Sequence, residues 1–233
     1  MKPLYNRIVG AGAGSAFWLW VALCRELEDL VLSKQITIEV YDPDNFVGGN
    51  GSKRLPKPHN PNQPKVEYLA TFIKHVMRDT PPITHAEKLL PSHFLEGDWS
   101  KTIVVDGTDM GRLQREMFWS QLEQHGIKGI RLALDGTGIA TISPGPPIYM
   151  GDESEQHDAY TKTPHLGQVF RSVGMGAEAI LYLLYTGKVI ETQHFMPTLE
   201  NAENEFLMPT IMEDIMDRND GLFRKLAEGG GND

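Results

Sequence analysis

Residues 7–15 read RIVGAGAGS, in which glycines 10, 12 and 14 follow a short apolar run and precede a helical pattern. A tight turn from strand to helix, or a close backbone approach to a ligand, calls for residues without Cβ. The first N–H groups of the helix and its dipole then favour a phosphate at the turn. The spacing is Gly10-x-Gly12-x-x-Ser15, so a serine stands where the dinucleotide fingerprint has its third glycine. Taken alone, the stretch reads either as a nucleotide loop or as a tight strand-to-helix turn.

Outward from this turn, the apolar residues AFWLWVALC (16–24) continue as a helix to about residue 32. That run is too short to span a bilayer. ITIEVY (36–41) follows as a strand, and 43–62 is a long Pro-, Gly- and Asn-rich loop. KVEYLATFIKHVM (65–77) aligns Val66, Leu69, Phe72, Ile73 and Val76 on one helical face. A strand is expected over 83–89, an inner parallel strand at TIVVD (102–106), a helix over 111–125, and strands at 130–136 and 139–143. Residues 143–165 read as a loop, a lid or crossover, and 167–186 as a long apolar helix closed by Gly187. Beyond 190 the periodicity weakens, and the terminal AEGGGND is expected to be disordered.

Strands alternating with helices imply a Rossmann-like α/β fold, a mostly parallel sheet with helices on both faces. Ligands of such sheets bind beyond the carboxyl ends of the strands. The motif glycines, Asp42 and Asp109 all follow expected strands, so they gather on that edge. At 233 residues the chain accommodates one large domain and a tail, here 1–188 and an extension over 189–233.

The formal net charge of −9 argues against broad attraction to nucleic acid or to an anionic membrane surface. One cysteine, Cys24, excludes an internal disulfide framework, a CxxC pair and a four-cysteine zinc site, and suits a reducing, cytoplasmic setting. Cys24 lies among apolar residues and reads as core. Trp18 and Trp20, two apart on the first helix, lie on different faces, so one is expected to point outward. His157 and His165, near Asp152, Glu153 and Glu155, match no metal-ligand spacing and read as a solvated loop.

After the second strand comes YDPDNFVGGNGSKRL (41–55), which sets Asp42 and Asp44 before Asn50, Lys53 and Arg54. Acids and a basic pair with glycines between them suit a ribose and a phosphate chain, and equally a solvated turn. Asp42 stands where the ribose-hydroxyl acid of such folds is found.

Five pieces in order, IVGAGAGS, YDPDNFVGGNGSKR, KVEYLA, VVDGTD and SVGMGAEAILYLLYTGK, resemble the ThiF/MoeB-type superfamily of ubiquitin-activating-like adenylating enzymes over residues 5–188. The resemblance implies a ThiF-type nucleotide-binding fold with a crossover loop. It implies ATP and Mg²⁺ as cofactors, with Gly10, Gly12 and Gly14 at the phosphates and Asp42 on the ribose. Asn50, Lys53 or Arg54, and Lys65 then fall on the phosphates, and Asp109 on the metal. Each has a plainer alternative: solvated charges for Lys53, Arg54 and Lys65, a helix N-cap for Asp109. The chain departs from the family at Ala13, Ser15, Gly51 and Met110, and 143–165 lacks the cysteine of thioester-forming members.

The function so implied is adenylation of the C-terminal carboxylate of a small ubiquitin-like or sulfur-carrier protein, without a thioester. Family members usually work as dimers, which makes a homodimer the expected assembly, with the first helix and 167–186 as its candidate surfaces. An inactive partner subunit is the alternative. A nicotinamide-dependent oxidoreductase ranks last, since it leaves Asn50, Lys53 and Lys65 unexplained and lacks a Tyr-x-x-x-Lys pair.

Overall fold

The computed structural model describes residues 2–14, 16–46, 62–77, 81–108, 110–134, 140–143, 166–190 and 193–195. Seven strands form one sheet: β1 (Arg7–Ala11), β2 (Thr37–Tyr41), β3 (Ile83–His85), β4 (Thr102–Asp106), β5 (Lys128–Leu134), β6 (Ala140–Ser143) and β7 (Gln193–Phe195). Their order is β3-β2-β1-β4-β5-β6-β7. The first five are parallel, and β6 and β7 run antiparallel to their neighbours. The fold is the α/β, Rossmann-type arrangement read from the sequence, with an antiparallel edge added. Only residues 135–139 join β5 to β6, too few for the crossover of a dozen or more residues that a parallel pair needs. β7 is three residues long, too short to register as a periodic pattern.

Among the described residues the α-helices are α1 (Phe17–Glu26), α2 (Glu28–Leu32), α3 (Lys65–Met77), α4 (Arg112–Gln124) and α5 (Leu166–Thr186). The first helix, expected to run unbroken to residue 32, departs from helical geometry at Leu27 (φ −105°, ψ 13°), which keeps Leu27 in the core at 1% exposure. The strand expected over 83–89 ends at His85, where its pairing with β2 stops. Gly187, at φ +70°, closes α5, and its N–H bonds the Leu183 carbonyl at 2.9 Å.

Alternation along β1, β2 and β4 sends Ile8, Ile38, Val40, Ile103 and Val105 to one face. There α1, α3 and α5 cover them through Leu19, Trp20, Leu23, Leu69, Ile73, Ile180 and Leu183, all fully buried. The opposite face packs Val9 and Val104 against Phe118, Trp119 and Leu122 of α4 and against Phe94 and Trp99. The β1–β2 register is fastened by a two-point ion pair, Arg7 Nε to Glu39 Oε1 at 2.6 Å and Nη2 to Oε2 at 2.8 Å.

Trp20 is fully buried, whereas Trp18 is half-buried and meets Phe72 and Phe170 at 5.7 Å between ring centroids. The two tryptophans therefore diverge as their spacing requires. Helices α1 and α5, proposed as contact surfaces, chiefly build the core. Phe170 and Tyr182 of α5 remain 46% and 44% exposed.

Cys24 is buried in α1, and that burial pushes its thiol up to about 12 from an ordinary 9.0. The protonated thiol is thus favoured by folding: this contribution is complete below about pH 9 and is lost as pH rises toward 12. Iodoacetamide at pH 8.5 is expected to leave the native protein unmodified and to alkylate it once in denaturant. Mass spectrometry of intact protein reads the difference, and rapid native labelling would contradict this burial.

Candidate functional site

Strand β1 ends at Ala11, and the chain turns between the ends of its two neighbours. The Gly12 N–H bonds the Tyr41 carbonyl of β2 at 2.8 Å, and the Gly107 N–H after β4 bonds the Ala11 carbonyl at 2.9 Å. Gly12 has φ +97°, and a Cβ there would stand 2.7 Å from the Gly107 carbonyl oxygen. This position requires glycine on both conformational and steric grounds. The turn lies where the chain leaves β1 for helices on one face and β4 for a helix on the other, the switch point at which such sheets take ligands.

Asp42, the first residue after β2, is 5% exposed and reaches into the glycine turn. Its Oδ2 accepts the Ala13 N–H at 2.7 Å and its Oδ1 the Asp44 N–H at 2.9 Å. A carboxylate has about four lone-pair positions, so two remain for a hydroxyl pair. Lys65 opens α3, and its backbone N–H bonds the Asp44 carbonyl at 2.9 Å. Its buried side chain turns back so that Nζ donates to Asp44 Oδ2 at 2.7 Å. The same Nζ lies 3.7 Å from where a Gly14 Cβ would be.

Tertiary structure thus brings Gly12, Gly14, Asp42 and Lys65 together, although Gly14 and Lys65 are 51 positions apart in sequence. The N-terminus of α1 beside them carries no side-chain cap. The arrangement offers backbone N–H groups and one cation to a phosphate, and an acid to a sugar. Gly10 has another occupation: a Cβ there would fall 2.0 Å from Trp20 Cζ2. Packing of the indole accounts for that glycine. Asn50, Lys53, Arg54 and Asp109, and the loop carrying His157 and His165, lie outside the described residues.

A second polar group, which sequence reading missed, sits under the next strand ends. Asp106, last in β4, is fully buried and accepts at Oδ1 from the Thr108 N–H (3.0 Å) and Oγ1 (2.7 Å), and at Oδ2 from Trp119 Nε1 (3.1 Å). Arg115 Nε and Arg131 Nη1 stand 3.7 and 3.6 Å from Oδ2, with both arginines buried. Arg115 Nη2 also donates to the Thr108 carbonyl at 3.3 Å. Thr108, which precedes Asp109, is therefore held from both sides. A signal did exist: Arg131 interrupts the apolar run IRLAL, and TIVVD ends in an acid inside the sheet. Among the described residues no cluster of three or more His, Cys, Asp or Glu side chains is placed to hold a metal ion.

No protein-family model and no curated protein sequence matches this chain. Solved structures do share its fold. E. coli MccB matches at TM-score 0.55 and 11% identity, over 83% of this chain and 63% of that one. MccB of E. coli with ATP matches at TM-score 0.53 and 10% identity over 83% and 63%. PaaA matches at TM-score 0.52 and 15% identity over 82% and 63%. The chain spans under two thirds of these proteins' lengths. With MccB and PaaA it shares an α/β, Rossmann-type fold.

Proposed function

We propose that this protein adenylates the C-terminal carboxylate of a peptide or small protein at the expense of ATP. The observation that carries the reading is the placement of the Lys65 ammonium over Gly14 in the glycine turn, with Asp42 bound into the same turn. In support, MccB structures of the same fold contain ATP, or AMPCPP together with MccA. The finer reading takes the acyl substrate as the tail of a ubiquitin-like or sulfur-carrier protein, acted on by a cytoplasmic homodimer.

The described residues fit a nucleotide. Gly14 leaves open the space next to Lys65 Nζ, whose present partner Asp44 has a side chain 63% exposed and free to release it to phosphate. In the reaction a carboxylate oxygen attacks the α-phosphorus, the bond to pyrophosphate breaks, and an acyl-adenylate results. Two anions meet in that step, and a fixed cation stabilises the charge that accumulates. Lys65 supplies it as a point charge. Asp42 orients the ribose. Mg²⁺ at Asp109 would screen the leaving pyrophosphate when bound. Transfer to a thioester is not part of the proposal, because the chain's one cysteine, Cys24, is buried and held as the thiol.

The test is a thermal shift with Mg·ATP and, separately, with NAD, followed by pyrophosphate release with a peptide substrate. At 100 times Kd a ligand stabilises the folded state by about 2.7 kcal/mol. Lys65→Ala is expected to abolish the ATP shift and to cut turnover roughly 10²–10³-fold, the usual effect of losing one stabilising group. Its own stability changes by less than about 1 kcal/mol, since it strands only an exposed carboxylate. A shift with NAD alone would overturn the proposal. A second reading, a nucleotide-binding subunit without chemistry, is favoured by the engagement of Lys65 with Asp44 and of Asp42 with backbone. It predicts an ATP shift without pyrophosphate release.

A further inference from the structure

Lys65 and Asp44 are unequal partners. The lysine side chain is 11% exposed and the aspartate side chain 63%, and Nζ donates to Oδ2 at 2.7 Å. The lysine stem lies against Gly14, with Cδ and Cε 3.6 and 3.8 Å from where a Cβ there would stand. A sheltered ammonium is costly without a counter-ion, whereas a carboxylate at the surface keeps most of its hydration. The contact therefore matters more to the cation than to the anion. Of the two side chains it is the carboxylate that can turn away at little cost.

The backbone that carries Asp44 does not share this freedom. Its N–H bonds Asp42 Oδ1 at 2.9 Å, and its carbonyl accepts the Lys65 N–H at 2.9 Å. Two residues on, the Phe46 N–H bonds the Gln63 carbonyl at 2.9 Å, and Asn45 bridges to Pro64. Phe46 is 2% exposed and meets Tyr68 of α3 edge-on, with 4.9 Å between ring centroids. The main chain thus ties the acid Asp42 to the first turn of α3, whichever way the Asp44 side chain points.

We propose that Asp44 is a latch on the phosphate position: its carboxylate takes the place of a nucleotide phosphate at Lys65 until a phosphate arriving over Gly14 displaces it to solvent. The inference rests on the reading of the glycine turn as an ATP site. Binding exchanges one anion for another on the same ammonium, so the latch lowers nucleotide affinity. By reciprocity it does so by the same factor with which the nucleotide weakens the latch.

Asp44→Asn keeps the backbone hydrogen bonds and the shape of the side chain while removing its charge. In calorimetric titration of the full chain, AMPCPP is expected to bind this variant about fivefold more tightly than wild type, the upper end for a partly exposed ion pair. Adenosine, which brings no phosphate to Lys65, is expected to bind both equally. A fivefold change corresponds to about 1 kcal/mol. The variant alone is therefore expected to melt about 2–4 °C below wild type, and saturating AMPCPP is expected to close that gap. An AMPCPP affinity that is unchanged or reduced, a gain shared by adenosine, a gap that AMPCPP does not narrow, or a variant that fails to fold would each overturn the latch. Pyrophosphate release from ATP and peptide, with equal AMPCPP affinity in the two proteins, would refute the latch alone. The same fivefold gain for inorganic tripolyphosphate, in a protein that releases no pyrophosphate, would instead refute adenylation and leave the latch standing.

Discussion

Asp106→Ala is expected to leave the protein largely unfolded at 37 °C. The side chain is fully buried and serves as acceptor for three donors, Thr108 N–H, Thr108 Oγ1 and Trp119 Nε1. It is also the counter-ion facing Arg115 and Arg131 at 3.7 and 3.6 Å. Removing one partner of a buried ion pair typically costs about 3–5 kcal/mol, because the other charge stays behind. Each stranded donor adds roughly 1–3 kcal/mol, against a total stability of about 5–15 kcal/mol for a domain.

Equilibrium urea unfolding measures the loss, and a midpoint within experimental error of wild type would refute the account. Asp106→Asn keeps the shape and one acceptor oxygen but not the charge, so it falls between the two. Adding Arg131→Met to Asp106→Asn is expected to recover part of the loss, since it removes one of the two like charges. The coupling in that double-mutant cycle separates electrostatic cost from lost hydrogen bonds.

Gly10→Val is the second large expectation, with a loss above about 3 kcal/mol, at or beyond the upper range of ordinary overpacking. A Cβ at Gly10 would stand 2.0 Å from Trp20 Cζ2 and 2.2 Å from Cη2. The indole cannot simply withdraw: it is fully buried, and its Nε1 donates to the Gly12 carbonyl at 3.0 Å. The clash therefore passes into the glycine turn. Gly10→Ala paired with Trp20→Leu, which clears the space, is expected to be more stable than Gly10→Ala alone. If Gly10→Ala by itself melted like wild type, the packing explanation for this glycine would be wrong. By contrast Gly14→Ala meets Lys65 at ordinary contact distances of 3.6–3.8 Å, so its effect belongs to ligand binding and not to folding.

These cases separate two kinds of information in the chain. Element type and order followed from local pattern: five parallel strands, the helix at 65–77 and the Gly187 cap are legible because burial on one face imposes periods of 3.6 or 2 on nearby residues. The antiparallel pairing of β5 with β6 was not read from the sequence, although the few residues between the two strands leave a parallel pair no room for its crossover. Nor was the short β7, because three residues carry no period and owe their strand geometry to pairing with β6.

Within the site, Asp42 and the Gly12 turn could be placed by motif. The sequence alone could not say that Gly10 serves Trp20 or that Lys65 lies over Gly14. Nor could it say that Asp106 faces two arginines 9 and 25 positions away. Such contacts depend on which strands become neighbours and on which face of the sheet each residue falls. Long-range packing sets both, and a buried charge reveals itself only when its partners come from distant parts of the chain.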